Sequence, residues 1–528
     1  MNPMTVPTHF SKLPLLALTV LSQLAFSPSA MAQQTPESVA VPAEPTLDIN
    51  SYVIDGNNPL SDAQTALLLQ PYTGEQRKLS QIEQAALALE KALRERGYIF
   101  HRVFVPVQKP QDGKVTLQVI AFRVGQVAVM GNQSFSTANI RRSLPNLQEG
   151  SVPDIREVGQ DLTAANANPA KQVTVTFKES AQSDAVDADL RVKDSDPLSY
   201  FVSYTGNLPA TAKSPDDTVA RVGFGVQHAN LWDRDHVGAL TYSTDPSKQD
   251  KVSLWGAYYQ FPVYGRGLNV SAYYTSSDVN SGLGSLGLPD VSGKGEYLGA
   301  RVTYSLPRSG PASQTLAVAL DDRYFDQGLP GTSVASFPVS LKYTFRRDES
   351  WGTVGANVEY AVNTSEGSDN NQVNYTAQAA DWNWDAWRAG LDFSYRSSQW
   401  YWAARLRAQV SSSRLITGEK MSLGGAGSVR GFTDAVVRGD TGYFWSLEAT
   451  GPEMLLPLMR PVLFVEGGQV QSNGAVADHE ELGSVGGGLR WSYQKLDVSA
   501  DLAYATKVNS TEKQVDPVRL HLSAIYRF

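Results

Sequence analysis

Two hydrophobic periodicities divide this chain. From Leu198 to Phe528 apolar and polar positions alternate with a period of two, in segments bounded by turn residues. The last segment is the clearest. Val518, Leu520, Leu522, Ala524, Tyr526 and Phe528 share one side, while Arg519, His521, Ser523 and Arg527 share the other, interrupted only by Ile525. Leu496, Val498, Ala500, Leu502 and Tyr504 alternate with Asp497, Ser499 and Asp501. Trp400, Trp402, Ala404, Leu406, Ala408 and Val410 alternate with Tyr401, Arg405, Arg407 and Gln409.

A soluble sandwich would turn such apolar faces inward against each other. A membrane barrel turns them outward to lipid and lines its lumen with the charges. The length of the alternating region, its aromatic last residue and the export signal described below favour the barrel. The segments number about sixteen, an even count as bacterial barrels require. Short turns such as Trp232–Asp235 and Pro262–Gly265 alternate with long connections at 206–217, 276–294, 324–337, 362–386 and 411–441. Short turns belong to the periplasmic side and long loops outside, which places everything before Leu198 in the periplasm. A barrel of that size is wide enough for an aqueous channel.

Residues 50–193 show a different pattern, that of two α+β modules in tandem. In residues 50–122, Tyr52-Val53-Ile54 reads as a strand before the turn Asp55-Gly56-Asn57. Ser80 then opens a helix whose apolar positions Ile82, Ala85, Ala86, Leu89 and Leu93 follow the 3.6 period, and Gly97 ends it. Ile99–Val107 and Val115–Phe122 pair across a Pro-Gln-Asp-Gly turn. Residues 123–193 repeat the plan. Gln126–Met130 is followed by Gly131-Asn132, then helices over Ser136–Leu144 and Ile155–Ala167, then strands at Val173–Phe177 and Ala188–Val192.

The first 32 residues read as a secretory signal, with Lys12 flanking an apolar run and Ala30-Met31-Ala32 as the cleavage site. Residues 33–49, with three prolines, read as a flexible or extended linker. The chain has no cysteine, so its fold rests on buried apolar surface rather than disulfides. A net charge of −8 gives no nucleic-acid partner. No phosphate-binding Gly-rich motif, His/Cys cluster or catalytic triad stands out, so no catalytic residue, cofactor or metal is expected, and the reading is not that of an enzyme.

The chemistry concentrates at residues 424–432, Gly-Gly-Ala-Gly-Ser-Val-Arg-Gly-Phe, inside the long connection 411–441. A cation there must find a carboxylate or water, because a lipid-facing charge is costly. Glu466 shares strand parity with Phe464 and Gly468, while Leu463 and Val465 face the other way and suit lipid. A loop folded into the lumen would bring Arg430 to Glu466, and an Arg–carboxylate pair is directional and strong. The glycines at 424, 425, 427 and 431 let the backbone turn and approach the wall. Glu448 has lumen parity on its own strand and reads as an ordinary lumen charge.

Val429-Arg430-Gly431-Phe432 resembles the signature of the sixth extracellular loop in the superfamily of outer-membrane polypeptide translocators with periplasmic POTRA domains. Phe464-Val465-Glu466-Gly467-Gly468 resembles the partner motif on the thirteenth strand of those barrels. Two modules before a sixteen-stranded barrel are similar to the TpsB transporters of two-partner secretion, the filamentous-haemagglutinin and haemolysin-activator type. Ala167-Asn168-Pro169-Ala170-Lys171-Gln172-Val173 also resembles that family's second module. The family usually carries aspartate at the Glu466 position.

The resemblance implies an outer-membrane transporter for a large secreted exoprotein of β-helical type. The exoprotein would be captured unfolded in the periplasm, with residues 136–167 as the docking face, and passed through the barrel. Outer-membrane lipid would surround the barrel. The barrel assembly machinery would insert it, reading the C-terminal aromatic signal Tyr526 and Phe528. Well-studied relatives plug the lumen with an N-terminal helix, which residues 33–49 are too proline-rich to form. Two other readings are an assembly factor for outer-membrane proteins and, with less support, a diffusion porin.

Overall fold

The computed structural model describes residues 45–210, 219–247, 253–277, 294–308, 310–326, 333–474, 478–509 and 517–528. The export signal expected over 1–32 and nearly all of the linker, with the question of a plug helix, lie outside the described residues. The linker's last residues are more ordered than a linker needs: Thr46–Ile49 pairs antiparallel with Gly74–Lys78.

In the first module the helix Leu79–Glu95 buries Ile82, Ala85, Ala86, Leu89, Ala92 and Leu93 against a three-stranded sheet, as a 3.6-residue stripe requires. Its start differs from the sequence expectation. The cap residue is Lys78, and the Gln81 side chain accepts its backbone N–H at 3.0 Å, which puts Ser80 inside the first turn. A second helix, Asp62–Leu69, has no counterpart in the residue-level reading. Apart from Ala63, its apolar residues run consecutively from Ala66 to Leu69, leaving Leu67 exposed, so they form no stripe. Ser61 and Gln64 nonetheless form a reciprocal capping box.

Both modules share one sheet plan. Ser51–Gly56 runs parallel to Lys114–Ala121, which pairs antiparallel with His101–Phe104. Likewise Arg123–Met130 runs parallel to Ala185–Asp194, which pairs antiparallel with Lys171–Glu179. The equivalence extends to backbone detail. Gly56 and Gly131 close the two first strands with φ of +91° and +87°. A Cβ there would strike the carbonyl oxygens of Val119 and Val192 at 2.2 and 2.5 Å, so neither site tolerates a side chain.

Sixteen antiparallel strands then close into a barrel, the sixteenth (Val518–Arg527) pairing with the first (Leu198–Pro209). The eighth is interrupted at Phe337 and continues from Val334–Ser336 into Pro338–Glu349. Alternation governs facing throughout. Leu463 and Val465 lie exposed on the outer wall, whereas Phe464 and Glu466 are buried inside. Trp351, Trp400, Trp402, Trp491, Tyr493, Tyr526 and Phe528 gather at the module end of the wall, as an interfacial girdle does.

The second module is seated on two turns at that end. Lys171 Nζ lies 2.7 Å from Asp235 Oδ2 and 2.9 Å from Asn139 Oδ1, while the Tyr264 hydroxyl donates to the same Asp235 oxygen at 2.6 Å. Asn139 Nδ2 and Arg142 Nη1 both donate to the Asp233 carbonyl at 3.0 Å, and Asn168 Nδ2 donates to the Ala229 carbonyl at 2.6 Å. This narrows the expected docking face. Within 136–167 the helix Thr137–Arg142 meets the barrel through Asn139 and Arg142, so that part of the face is already occupied.

Candidate functional site

The loop between the eleventh strand (Trp400–Val410) and the twelfth (Thr441–Thr450) folds back into the lumen. Its limbs pair as a short hairpin, Met421–Leu423 with Val437–Gly439. The tip is wedged by apolar contact: Val429 and Phe432 are buried with Phe444, Val470, Leu482 and Ala505 of four successive strands. A lumen wall is ordinarily polar, and these four apolar positions form a seat for the loop.

Three of the four glycines named from sequence adopt positive φ: Gly424 (+111°), Gly425 (+92°) and Gly431 (+94°). Gly427 does not, and a Cβ there would meet open space. At Gly431 the added Cβ would sit 3.4 Å from the Ala503 Cβ, so this residue lets the loop lie flat on the fifteenth strand (Leu496–Asn509).

Arg430 is 3 % exposed and reaches three carboxylates. Its Nε and Nη2 donate to Glu466 Oε1 at 3.0 and 2.6 Å, and its backbone N–H donates to Glu466 Oε2 at 2.8 Å. Nη1 donates to Asp501 Oδ2 at 2.9 Å and Nη2 to Glu448 Oε2 at 3.0 Å. The guanidinium carbon stands 3.5 Å from the centroid of the Phe464 ring, where the π face attracts a cation. Ser446 Oγ donates to Glu466 Oε1 at 3.1 Å, so no oxygen of that buried carboxylate lacks a partner. The Gly431 N–H donates to His521 Nε2 at 2.9 Å, and the Asn207 amide donates to the Phe432 carbonyl at 3.2 Å. Gly468 lies against Leu423 of the hairpin.

Val429, Arg430, Gly431, Phe432, Phe464, Glu466 and Gly468 thus meet in one place. Tyr526 and Phe528 do not. They lie exposed near the barrel seam, their rings edge to face at 4.9 Å. Glu448 is no ordinary lumen charge but a direct partner of Arg430. Asp501 and His521 join the site without having been singled out; lumen parity was their only signal, and they share it with many residues. Arg490 contacts Asp501 at 2.5 Å and Glu448 at 3.5 Å, partly offsetting the three carboxylates. A polar cavity of about 390 Å³ opens beside the cluster, lined by Arg405, Arg430, Glu448, Arg490, Asp501 and His521.

The carboxylates differ in weight. Glu466 is wholly buried and bonded through both oxygens, while Glu448 keeps about a fifth of its side-chain exposure and holds Arg430 by one bond. Glu466→Gln is therefore expected to free the loop at least about tenfold more than Glu448→Gln, because solvent screens the exposed pair and not the buried one. Open-state occupancy of each variant in planar lipid bilayers measures this, and equal occupancies would contradict the ranking.

Comparison with known proteins agrees with this layout. Residues 223–491 match the family described as "Haemolysin secretion/activation protein ShlB/FhaC/HecB", and residues 47–121 match the ShlB-type POTRA domain. The chain is 23% identical over 470 residues to the outer membrane transporter CdiB of Dickeya dadantii, covering 84% of this chain and 80% of that protein. It is 24% identical over 462 residues to the CdiB of Escherichia coli, covering 83% and 75%. Among solved structures, CdiB from Escherichia coli superposes with a TM-score of 0.75 at 20% identity, over 94% of this chain and 93% of that one. CdiB from Acinetobacter baumannii superposes at 0.69 and 15% identity, over 94% and 95%.

Proposed function

Because this chain belongs to the haemolysin secretion/activation family of ShlB, FhaC and HecB, we propose that its inward loop is the gate of a secretion channel and that Arg430 is the catch of that gate. The family role is outer-membrane transport in two-partner secretion. The chain carries a cognate secreted exoprotein across the outer membrane, with its POTRA region in the periplasm and its barrel in the membrane.

The observation that carries the gate reading is the placement of a buried arginine, on a loop, among three carboxylates of three wall strands. A loop held only by packing would not need a desolvated cation. Buried ion pairs contribute little net stability but are costly to half-break, which suits an element that must hold one position or leave it entirely. Val429, Gly431, Phe432, Phe464 and Gly468 shape the seat, and Glu466 is the principal counter-charge. The polar cavity beside the cluster supports an aqueous path that widens when the loop withdraws.

In this reading residues 1–32 are the export signal, and 50–122 and 123–193 are the two capture modules. An unfolded exoprotein of β-helical type adds as a strand to a sheet edge, such as Lys171–Glu179, which pairs on one side only. Outer-membrane lipid contacts the outward apolar face, and the barrel assembly machinery reads Tyr526 and Phe528. Folding of the exoprotein outside supplies the direction, with no cofactor.

The test is to compare secreted and outer-membrane proteomes with and without this gene. Loss of one large secreted or surface protein, with other barrel proteins unchanged, is expected. Broad depletion of barrel proteins would overturn the reading in favour of an assembly factor, and no change in either fraction would favour a porin.

A further inference from the structure

The loop carries a second buried charge on its other side. Glu419 lies eleven residues before Arg430 and is wholly buried. Its carboxylate accepts from Arg323 Nη1 at 2.9 and 3.0 Å, Arg388 Nη2 at 2.9 Å and Ser336 Oγ at 2.8 Å. Its backbone carbonyl accepts from Gln409 Nε2 at 3.0 Å. These partners sit on the seventh, eighth, tenth and eleventh strands. Leu415 and Ile416, just before Glu419, are buried with Phe325, Tyr375 and Trp384, an apolar cluster that packs this part of the loop against the wall.

Charge and position together make the loop a strut. Its anion meets cations on strands seven and ten, and its cation meets anions on strands twelve, thirteen and fifteen. Arg323 and Asp501 are eight strands apart in a ring of sixteen, on opposite walls. Arg323 and Arg388 lie near the loop-side ends of their strands, whereas Glu466 lies mid-strand, so the two anchors also differ in depth. We propose that Glu419 is a second, independent anchor of the gate, holding its outer part to the wall opposite Arg430, and that full opening requires both anchors to release. This rests on the reading of the loop as a gate and adds how that gate is regulated.

The wall keeps its own pairs without Glu419: Arg323 with Asp321 at 2.6 Å and Arg388 with Glu359 at 3.2 Å. Glu419→Gln therefore removes this anchor's charge while leaving the barrel folded, which the heat-dependent shift in gel mobility checks. The experiment compares the parent, Glu419→Gln, Arg430→Ala and the double variant as single channels in planar lipid bilayers in potassium chloride. Glu419→Gln alone is expected to raise open-state occupancy at least about tenfold, and the double variant to exceed either single one. A folded Glu419→Gln with parental occupancy, or a double variant no more open than Arg430→Ala, would overturn the second anchor and leave the gate reading standing. Parental conductance in all three folded variants would overturn both.

Discussion

Arg430→Ala is expected to raise the open-state occupancy of the barrel by more than about a hundredfold, short of full opening, and to abolish productive secretion. The substitution removes every side-chain bond from the loop to Glu466, Asp501 and Glu448 and leaves three carboxylates facing one another in the lumen. Removing one partner of a buried pair costs about 3–5 kcal/mol, since the remaining charge is left without compensation. That shifts the ratio of seated to unseated loop by more than about a hundredfold. Among the described contacts Arg490 remains paired with Asp501 and Glu448, and it does not reach Glu466. The measurement is channel conductance in planar bilayers alongside export in cells. Parental conductance together with parental export would remove the catch from the mechanism.

The second large effect is expected at Lys171. Burial pulls its ammonium below the ordinary lysine range, and the Asp235 carboxylate 2.7 Å away opposes that shift. Lys171→Met removes the cation while filling similar volume. The Asp235 carboxylate is then left buried with the Tyr264 hydroxyl as its donor, a loss again of about 3–5 kcal/mol at the junction. The second module should swing away from the barrel turns while both units stay folded. Hydrogen exchange of residues 136–143 and 230–235 reads this as lost protection confined to those segments. Unchanged protection there would show that the surrounding neutral bonds hold the seat alone. Replacing both Lys171 and Asp235 by apolar residues should recover much of the docking, since no lone charge is then left buried.

What could be read from the chain follows from which forces are local. A period of two, with charges on one parity, dictates strands with a wet and an oily face, so the barrel and the facing of Leu463, Phe464 and Glu466 were legible from residues alone. The amphipathic stripe of the helix Leu79–Glu95 was equally plain, because a stripe survives any choice of partner. The helix Asp62–Leu69 was not, because its apolar residues, Ala63 apart, lie consecutively and only the cap marks it. Glu448, Asp501 and His521 joined Arg430 through the register and curvature of strands far apart in sequence, which no single segment encodes. The junction contacts of Asn139 and Lys171 were not legible, because their partners, Asn230, Asp233 and Asp235, lie about a hundred residues or fewer downstream in another domain. The motif at 167–173 did carry a signal there: two of its residues, Asn168 and Lys171, hold the junction.

The closure of the barrel has a consequence for the route of the cargo. The seam between the sixteenth and first strands carries nine residue pairs, from Arg519–Pro209 to Arg527–Phe201. Strands two and three share eight, as do strands three and four. The seam is thus a continuous pairing, as long as the shorter pairings of the wall. Unzipping it would expose two rows of unpaired backbone groups to hydrocarbon, each costing several kcal/mol. In the gate reading, a polypeptide inside this barrel therefore follows the axis into the medium rather than slipping sideways into the bilayer.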